Sequence, residues 1–289
     1  MRLGVLNIDR VLEGHLQVKY DVTHLDHVKD FPDIDALYID WIPGNRTTPT
    51  LIRQAAAMDN YVKKKIPVIL FDRHLRVSNK EYNWLRKFKV FFFEPAINYR
   101  RKFRYMPVWT EIYDISSYPN VSLERAIDLG CFDYLHNKLK SFEEYYVEFG
   151  RLYPKWSTWY IERDDRLSKE KRDEYYELNV KPGGFSSLNT KCSVLIGTQK
   201  AYEMGYLYPY IFDIMRDGCL PLLPQEHRYF HCLFSDTVIE KMGDINYILE
   251  GWDVLCIPTL VDIYDRVERY YPEMKVNHTV DVITKCLEG

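Results

Sequence analysis

The chain has 289 residues, of which 46% are hydrophobic and 28% charged, with a formal net charge of −3. That balance excludes a disordered or fibrous chain and leaves room for about two globular domains. No apolar run reaches the roughly 18 residues needed to span a bilayer, and the six cysteines form no CxxC pair that would mark a zinc site or disulfide framework.

Taken in order, Val5-Leu6-Asn7-Ile8 reads as a first strand ending at Asp9-Arg10, and Met1 to Ile8 carries no signal peptide. A cytoplasmic protein is the expectation. Ala36 to Ile42 is the next strand, followed by the turn-rich Pro43-Gly44-Asn45-Arg46. From Thr47 to Lys65 the apolar stripe Leu51, Ile52, Ala55, Met58, Tyr61 and Val62 predicts a helix, closed by Lys63-Lys64-Lys65 at the end that favours cations. Pro67 to Phe71 is a strand with Asp72-Arg73-His74 at its carboxyl end, and Lys89 to Pro95 is another. Strands alternating with helices imply a Rossmann-like α/β layer whose ligands gather at the carboxyl ends. A carboxylate placed there, Asp72, suits a general base, although capping the next helix or pairing with Arg73 would use it equally well. Arg73, His74 and Arg76 would hold an anionic acceptor beside it.

Charge is unevenly spread. Over residues 60–110 there are 13 Lys and Arg against 3 Asp and Glu, whereas residues 111–289 carry 20 against 30. The first half is therefore the better surface for a polyanion, a solvated charged face being the plain alternative. Within it, Tyr99-Arg100-Arg101-Lys102-Phe103-Arg104-Tyr105 interleaves basic and aromatic residues, a composition that neutralises phosphates and stacks on bases. Residues 116–121, with Pro119 and Asn120, form the candidate hinge, giving a first domain 1–115, a second 116–272 and a returning C-terminal helix 273–289.

The second half opens with a strand at Ala126 to Gly130, a Gly130-Cys131-Phe132 loop, and a helix from about Leu135 to Phe149 with Lys138 in its early turns. A strand at Trp156 to Ile161 and a charged stretch from Glu162 to Glu177 follow; Asp164-Asp165 reads as solvated rather than as a metal site. After a short helix at Leu188 to Cys192, the stretch from Val194 to Leu223 forms a βαβ unit. A buried strand closes at Gly197, Leu207, Tyr210, Ile211, Ile214 and Met215 mark one buried helix face, Gly218 stops the helix, and Cys219 to Leu223 is a second buried strand. A helix N-terminus near Tyr206 to Tyr210 would favour a diphosphate, and Asp213 one turn on would accept hydrogen bonds from sugar hydroxyls. His227 and His231 stand i, i+4 without the intervening acid of a zinc helix, and read as surface or core histidines. Helices over 245–249, 254–271 and 280–287 complete the chain.

Two Rossmann-like halves with an acidic second-half helix resemble the GT-B glycosyltransferases, which have two such domains facing across a cleft. Within that group the chain resembles the T-even phage DNA glucosyltransferases, which glycosylate 5-hydroxymethylcytosine in duplex DNA. The likeness rests on Val5 to Ile8, Leu70-Phe71-Asp72, Gly130-Cys131-Phe132 and Leu195 through Met215. It implies an inverting transfer with Asp72 as catalytic base and Asp213 on the donor ribose. Tyr210 and Asp133 stand where the family has donor-binding arginines, so Gly130, Cys131, Lys138, Tyr206, Tyr208 and Tyr210 are the substitute donor-binding residues. The DNA-binding set is Arg73, His74, Arg76, Arg101, Lys102 and Arg104.

The implied donor is a UDP-sugar, glucose or arabinose, and the partner is hydroxymethylated duplex DNA. No permanently bound cofactor is implied, assistance by a divalent cation is left open, and a monomer in the host bacterial cytoplasm is expected if the chain is phage-encoded. Two alternatives stay open. A bacterial glycan or protein acceptor would fit the Gly205-Tyr206, Phe212-Asp213 and Gly218-Cys219 run, which is similar to one in spore-coat glycosyltransferases. The other is a non-catalytic DNA-binding module.

Overall fold

A computed structural model describes residues 1–41, 49–73, 75, 77, 79–98, 104–107, 124–133, 135, 138–161, 167–208 and 210–288. The chain divides into two compact units, Met1–Glu111 with Tyr271–Gly289, and Ile112–Tyr270. The candidate hinge at 116–121 lies outside the described residues, as do Asp164 and Asp165.

The first unit alternates strands and helices: β1 (Arg2–Leu6), α1 (Arg10–Gln17), β2 (Asp21–His24), β3 (Ala36–Asp40), α2 (Pro49–Lys63), β4 (Val68–Phe71), α3 (Asn79–Leu85), β5 (Val90–Glu94) and β6 (Arg104–Tyr105). They form one wholly parallel sheet in the order β2-β1-β3-β4-β5-β6. Every residue of β3 and β4 is buried, as a central strand covered on both faces requires. Asp9 starts α1 by accepting the backbone N–H groups of Val11 at 2.9 Å and Leu12 at 3.3 Å.

Alternate residues of the strands divide two cores. Val5, Tyr38, Ile69, Phe71 and Phe93 pack with α1 on one face, while Leu37, Ile39, Leu70 and Phe92 pack with α2 and Leu85 of α3 on the other. The last helix of the chain, α11 (Val276–Glu288), belongs to the first of these cores, inserting Val276, Val280, Ile283 and Cys286. Each buried aliphatic side chain there contributes about 1.5–3 kcal/mol. Tyr20 donates its hydroxyl hydrogen to Thr284 at 2.9 Å, and Lys19 pairs with Asp281 at 3.2 Å.

The second unit runs β7 (Ile127–Cys131), α4 (Leu139–Phe142), a π-helical turn (Glu143–Val147), α5 (Glu148–Leu152), β8 (Thr158–Ile161), α6 (Lys169–Glu177), β9 (Val180–Gly183), β10 (Thr190–Val194), α7 (Gln199–Met204), α8 (Ile211–Arg216), β11 (Leu220–Pro224), β12 (Val238–Ile239), α9 (Met242–Glu250) and α10 (Trp252–Tyr270). It too is a wholly parallel sheet, ordered β12-β11-β10-β7-β8-β9. Among the described residues no helix is long and apolar enough to cross a membrane.

Local differences from the sequence expectations have identifiable causes. The short helix expected at Leu188 to Cys192 is a single 3₁₀ turn, Ser187–Asn189, and β10 starts at Thr190, where Thr190 Oγ1 donates to the Ser186 carbonyl at 2.9 Å and Lys191 pairs with Asp128 at 2.9 Å. Gly130 and Cys131 lie inside β7 rather than in a loop. The helix expected over 207–215 is confined to Ile211–Arg216, and α7 precedes it. Gly205, at φ +62°, ends α7 in the left-handed conformation that glycine adopts without strain, Tyr206 makes an isolated β-bridge, and Leu207 and Tyr208 then run as irregular chain. Gly218, at φ +78°, ends α8 in the same way.

Candidate functional site

In the second unit, counting β7 as the first strand, the order is 3-2-1-4-5-6 read from the β9 edge. Strand order reverses between β7 and β10, and open α/β sheets bind ligands outside the carboxyl ends at such a switch point. Tyr146 fixes that place: its hydroxyl lies 3.0 Å from the carbonyl oxygens of both Gly130 and Val194 and accepts the Val194 N–H at 2.8 Å. Gly130 is required by packing, since a Cβ there would stand 2.6 Å from the Phe185 ring and 2.7 Å from Thr190 Cγ2. The N–H of Gly197 donates to the Tyr202 hydroxyl at 2.7 Å, and Ser141 Oγ lies 3.2 Å from the same hydroxyl.

Above these strand ends the tyrosines converge. Tyr206 and Tyr208 are buried and meet edge to face at 4.9 Å, and Tyr210 lies 5.9 Å beyond Tyr208. The Lys138 ammonium sits 3.7 Å from the Tyr208 ring centroid and pairs with the buried carboxylate of Asp133. Tyr210 donates its hydroxyl hydrogen to the other Asp133 oxygen. Burial raises the Tyr208 and Tyr210 hydroxyls well above their ordinary range, and nearby Asp133 pushes both further, so both stay protonated at neutral pH. Burial also raises the Cys131 thiol far from thiolate formation, which leaves it a packing residue rather than a nucleophile.

The structure therefore brings Gly130, Cys131, Lys138, Tyr206, Tyr208 and Tyr210 to one strand-end region, and adds Asp133, Ser141, Tyr146 and Tyr202, which the sequence alone does not single out as site residues. Asp213 is different: it is exposed on the first turn of α8, 3.6 Å from Arg216. The helix N-terminus that follows the strand directly is that of α7, not one at Tyr206 to Tyr210, and Thr198 Oγ1 caps it by accepting the Ala201 N–H at 3.1 Å. His227 is core: fully buried, it sits 2.8 Å from the Tyr206 carbonyl.

In the first unit the order reverses between β1 and β3. Asn7, at φ +54°, ties these strands by donating its side-chain amide to the Asp40 carbonyl at 3.3 Å and to buried Gln54 at 3.0 Å. Asp72 follows β4 and is 1% exposed. Its Oδ2 accepts the Val77 N–H at 2.7 Å and its carbonyl accepts the Leu75 N–H at 3.1 Å. Arg73 reaches back to Asp40, Nη2 to Oδ2 at 2.6 Å, with its guanidinium 5.7 Å from the Phe71 ring centroid. The Asp40 carboxyl is pushed up to about 7 by burial, against the pull of Arg73 and with the help of Asp9 and Asp72. A second carboxylate beside Asp72 thus titrates near neutrality, a feature hidden in sequence because Asp40 ends a buried strand.

Of the expected DNA-binding residues, His74, Arg76, Arg101 and Lys102 lie outside the described residues, and Arg104 is described only as a backbone position of β6. Among the described residues no group of three or more His, Cys, Asp or Glu side chains is placed to hold a metal ion.

No protein-family model and no curated protein matches the chain. Solved structures do. The DNA-modifying enzyme β-glucosyltransferase, determined in the presence and absence of its substrate uridine diphosphoglucose, superposes with a TM-score of 0.62 over 100% of both chains at 15% identity. WaaG, a glycosyltransferase involved in lipopolysaccharide biosynthesis, gives 0.55 over 98% of this chain and 100% of its own at 10% identity. The chain therefore has the GT-B glycosyltransferase fold, built from two Rossmann-like units of wholly parallel sheet.

Proposed function

We propose that the chain is a glycosyltransferase that moves a sugar from a nucleotide sugar, a UDP-sugar such as UDP-glucose or UDP-arabinose, to the hydroxymethyl group of a modified pyrimidine in DNA. The observation that carries this reading is the β7/β10 switch point, where Gly130, Gly197, Lys138 and the Tyr206–Tyr210 segment gather in a sheet ordered for nucleotide binding. Support for DNA as acceptor comes from the fold shared with β-glucosyltransferase over the full length of both chains.

In this reading Asp72 takes the proton from the hydroxymethyl oxygen as that oxygen attacks the anomeric carbon. The bond from that carbon to the diphosphate oxygen breaks, and the nucleoside diphosphate leaves with the electron pair. One displacement inverts the anomeric centre. Lys138 and the hydroxyl of Tyr210 stabilise the departing charge. A base stacked in a duplex is out of reach of such a site, so the target nucleotide must be extruded.

The second reading is a glycan acceptor, favoured by the fold shared with WaaG. Incubating hydroxymethylated duplex DNA with a panel of nucleotide sugars, then measuring its nucleosides by mass spectrometry, separates the two. A hexose or pentose mass added to hydroxymethylpyrimidine is expected. An unchanged nucleoside profile with sugar transfer to lipopolysaccharide fragments would overturn the DNA reading.

A further inference from the structure

The amino ends of β4 and β5 carry a charged surface that the site above does not use. Helices α2 and α3 cover the same face of the first sheet, Tyr61 and Val62 of one and Leu85 of the other sharing one core. Both run against the strands, so their carboxyl ends come together where β4 and β5 begin; the Val68 N–H donates to the Lys89 carbonyl at 3.1 Å. Lys63 ends α2 with Lys64 and Lys65 following it, and Arg86, Lys87 and Lys89 follow α3, all of them exposed. Lys63 pairs with Asp59 at 2.5 Å and Lys64 with Asp33 at 3.6 Å. Lys65, Arg86, Lys87 and Lys89 have no acidic partner among the described residues. Trp84 and Phe88 stand among these cations, 42% and 38% exposed, locked edge to face at 5.3 Å.

We propose that this surface binds the phosphate backbone of duplex DNA flanking the target nucleotide. The inference rests on the DNA reading of the site and adds to it a contact region at the opposite end of the same strand. From Pro67 to Asp72 the chain advances about 16 Å at roughly 3.3 Å per residue. That is about half of the roughly 34 Å helical turn of a duplex, so a duplex lying along the direction of β4 has the length to reach both places. Four unpaired cations supply sequence-independent attraction to phosphates. The paired rings, each a little over a third exposed and set edge to face, give a deoxyribose an apolar contact between the cations.

The test is fluorescence anisotropy of an unmodified 20-base-pair duplex titrated with wild-type protein, Arg86→Gln/Lys87→Gln/Lys89→Gln, and Lys63→Gln/Lys64→Gln/Lys65→Gln at several salt concentrations. The slope of log affinity against log salt should become shallower by about 2.7 in the first triple variant, at ~0.9 per lost phosphate contact. UDP affinity and thermal stability should be unchanged in both. A wild-type slope retained by both triple variants overturns the proposal. So does loss of binding to phosphatidylglycerol vesicles without loss of duplex binding. If the patch sets the slope but hydroxymethylated DNA gains no sugar, the acceptor reading falls and the surface stands. If sugar is transferred with an unaltered slope in the variants, the surface falls and the reading stands.

Discussion

The imidazole Nε2 of His227 lies 2.8 Å from the carbonyl oxygen of Tyr206, so a fully buried histidine holds the first residue of the tyrosine segment beside the β7/β10 switch point. A carbonyl only accepts, which places a proton on Nε2. The ring also packs against Tyr202 and Phe230, with centroids at 5.3 and 5.2 Å. Burial lowers its pKa from 6.5 to about 4, the Tyr206 bond acting in the opposite sense. A depressed histidine contributes stability that is present above pH 6.5 and lost as pH falls toward 4. His227→Leu should cost about 1–3 kcal/mol at pH 7.5, by urea unfolding, because the Tyr206 carbonyl is left buried without its donor. The same variant should lose less than wild type on acidification to pH 5.

Asp40 works in the other direction. Its carboxyl is raised from 3.8 to about 7, so its contribution is fully present below pH 3.8 and is lost as pH rises through 7. Between pH 5 and pH 8 the first unit should lose about 2–3 kcal/mol from this group, at ~1.36 kcal/mol for each pH step over which the folded chain alone keeps the proton. Asp40→Asn should flatten that dependence. Hydrogen exchange reads the units separately: on moving from pH 8 to pH 5, after correction for intrinsic rates, protection should rise in β3 and β4 and fall in Tyr206 to Tyr208. Equal behaviour in both units would contradict these assignments.

How far such features are legible in sequence depends on the range of the interaction. Alternating apolar runs and helical stripes reveal β3, β4, β5, α2 and the β10–β11 crossover, because they record local burial on a strand or helix face. The break at Gly205 stays hidden because the apolar spacing of Leu207, Tyr210 and Ile211 satisfies a helix whether or not a left-handed glycine precedes it. The Asp133–Lys138–Tyr210 cluster joins residues from two segments far apart in sequence, so no spacing announces it. Asp40 and Arg73 meet across neighbouring strands for the same reason.

Gly197 offers a sharp test of the tyrosine wall. A Cβ at this position would lie 2.7 Å from both Tyr202 Cε1 and the Tyr208 hydroxyl, whereas one at Gly184 meets nothing within 4 Å. Gly197→Ala should therefore cost about 1–3 kcal/mol by overpacking and weaken UDP binding, while Gly184→Ala should leave UDP binding unchanged. Calorimetric titration with UDP checks both.

Asp133 engages the Lys138 ammonium and the Tyr210 hydroxyl, two donors that the proposed function assigns to the diphosphate. Asp133→Asn keeps the shape and removes a like charge from the phosphate position. It should tighten UDP binding about tenfold, equivalent to ~1.4 kcal/mol, and leave uridine binding unchanged. The gain should vanish when Lys138→Met is added. Weaker UDP binding in Asp133→Asn would mean that the carboxylate is needed for donor binding.

The central claim is that Asp72, buried at the end of β4, removes the acceptor proton. The most direct measurement is the rate of sugar transfer to hydroxymethylated DNA by wild-type protein and Asp72→Asn, with UDP affinity and thermal stability measured on both. The account predicts a rate lowered by about 10²–10⁴-fold with UDP affinity unchanged, the range for loss of a general base. Transfer at the wild-type rate by a folded Asp72→Asn would contradict it.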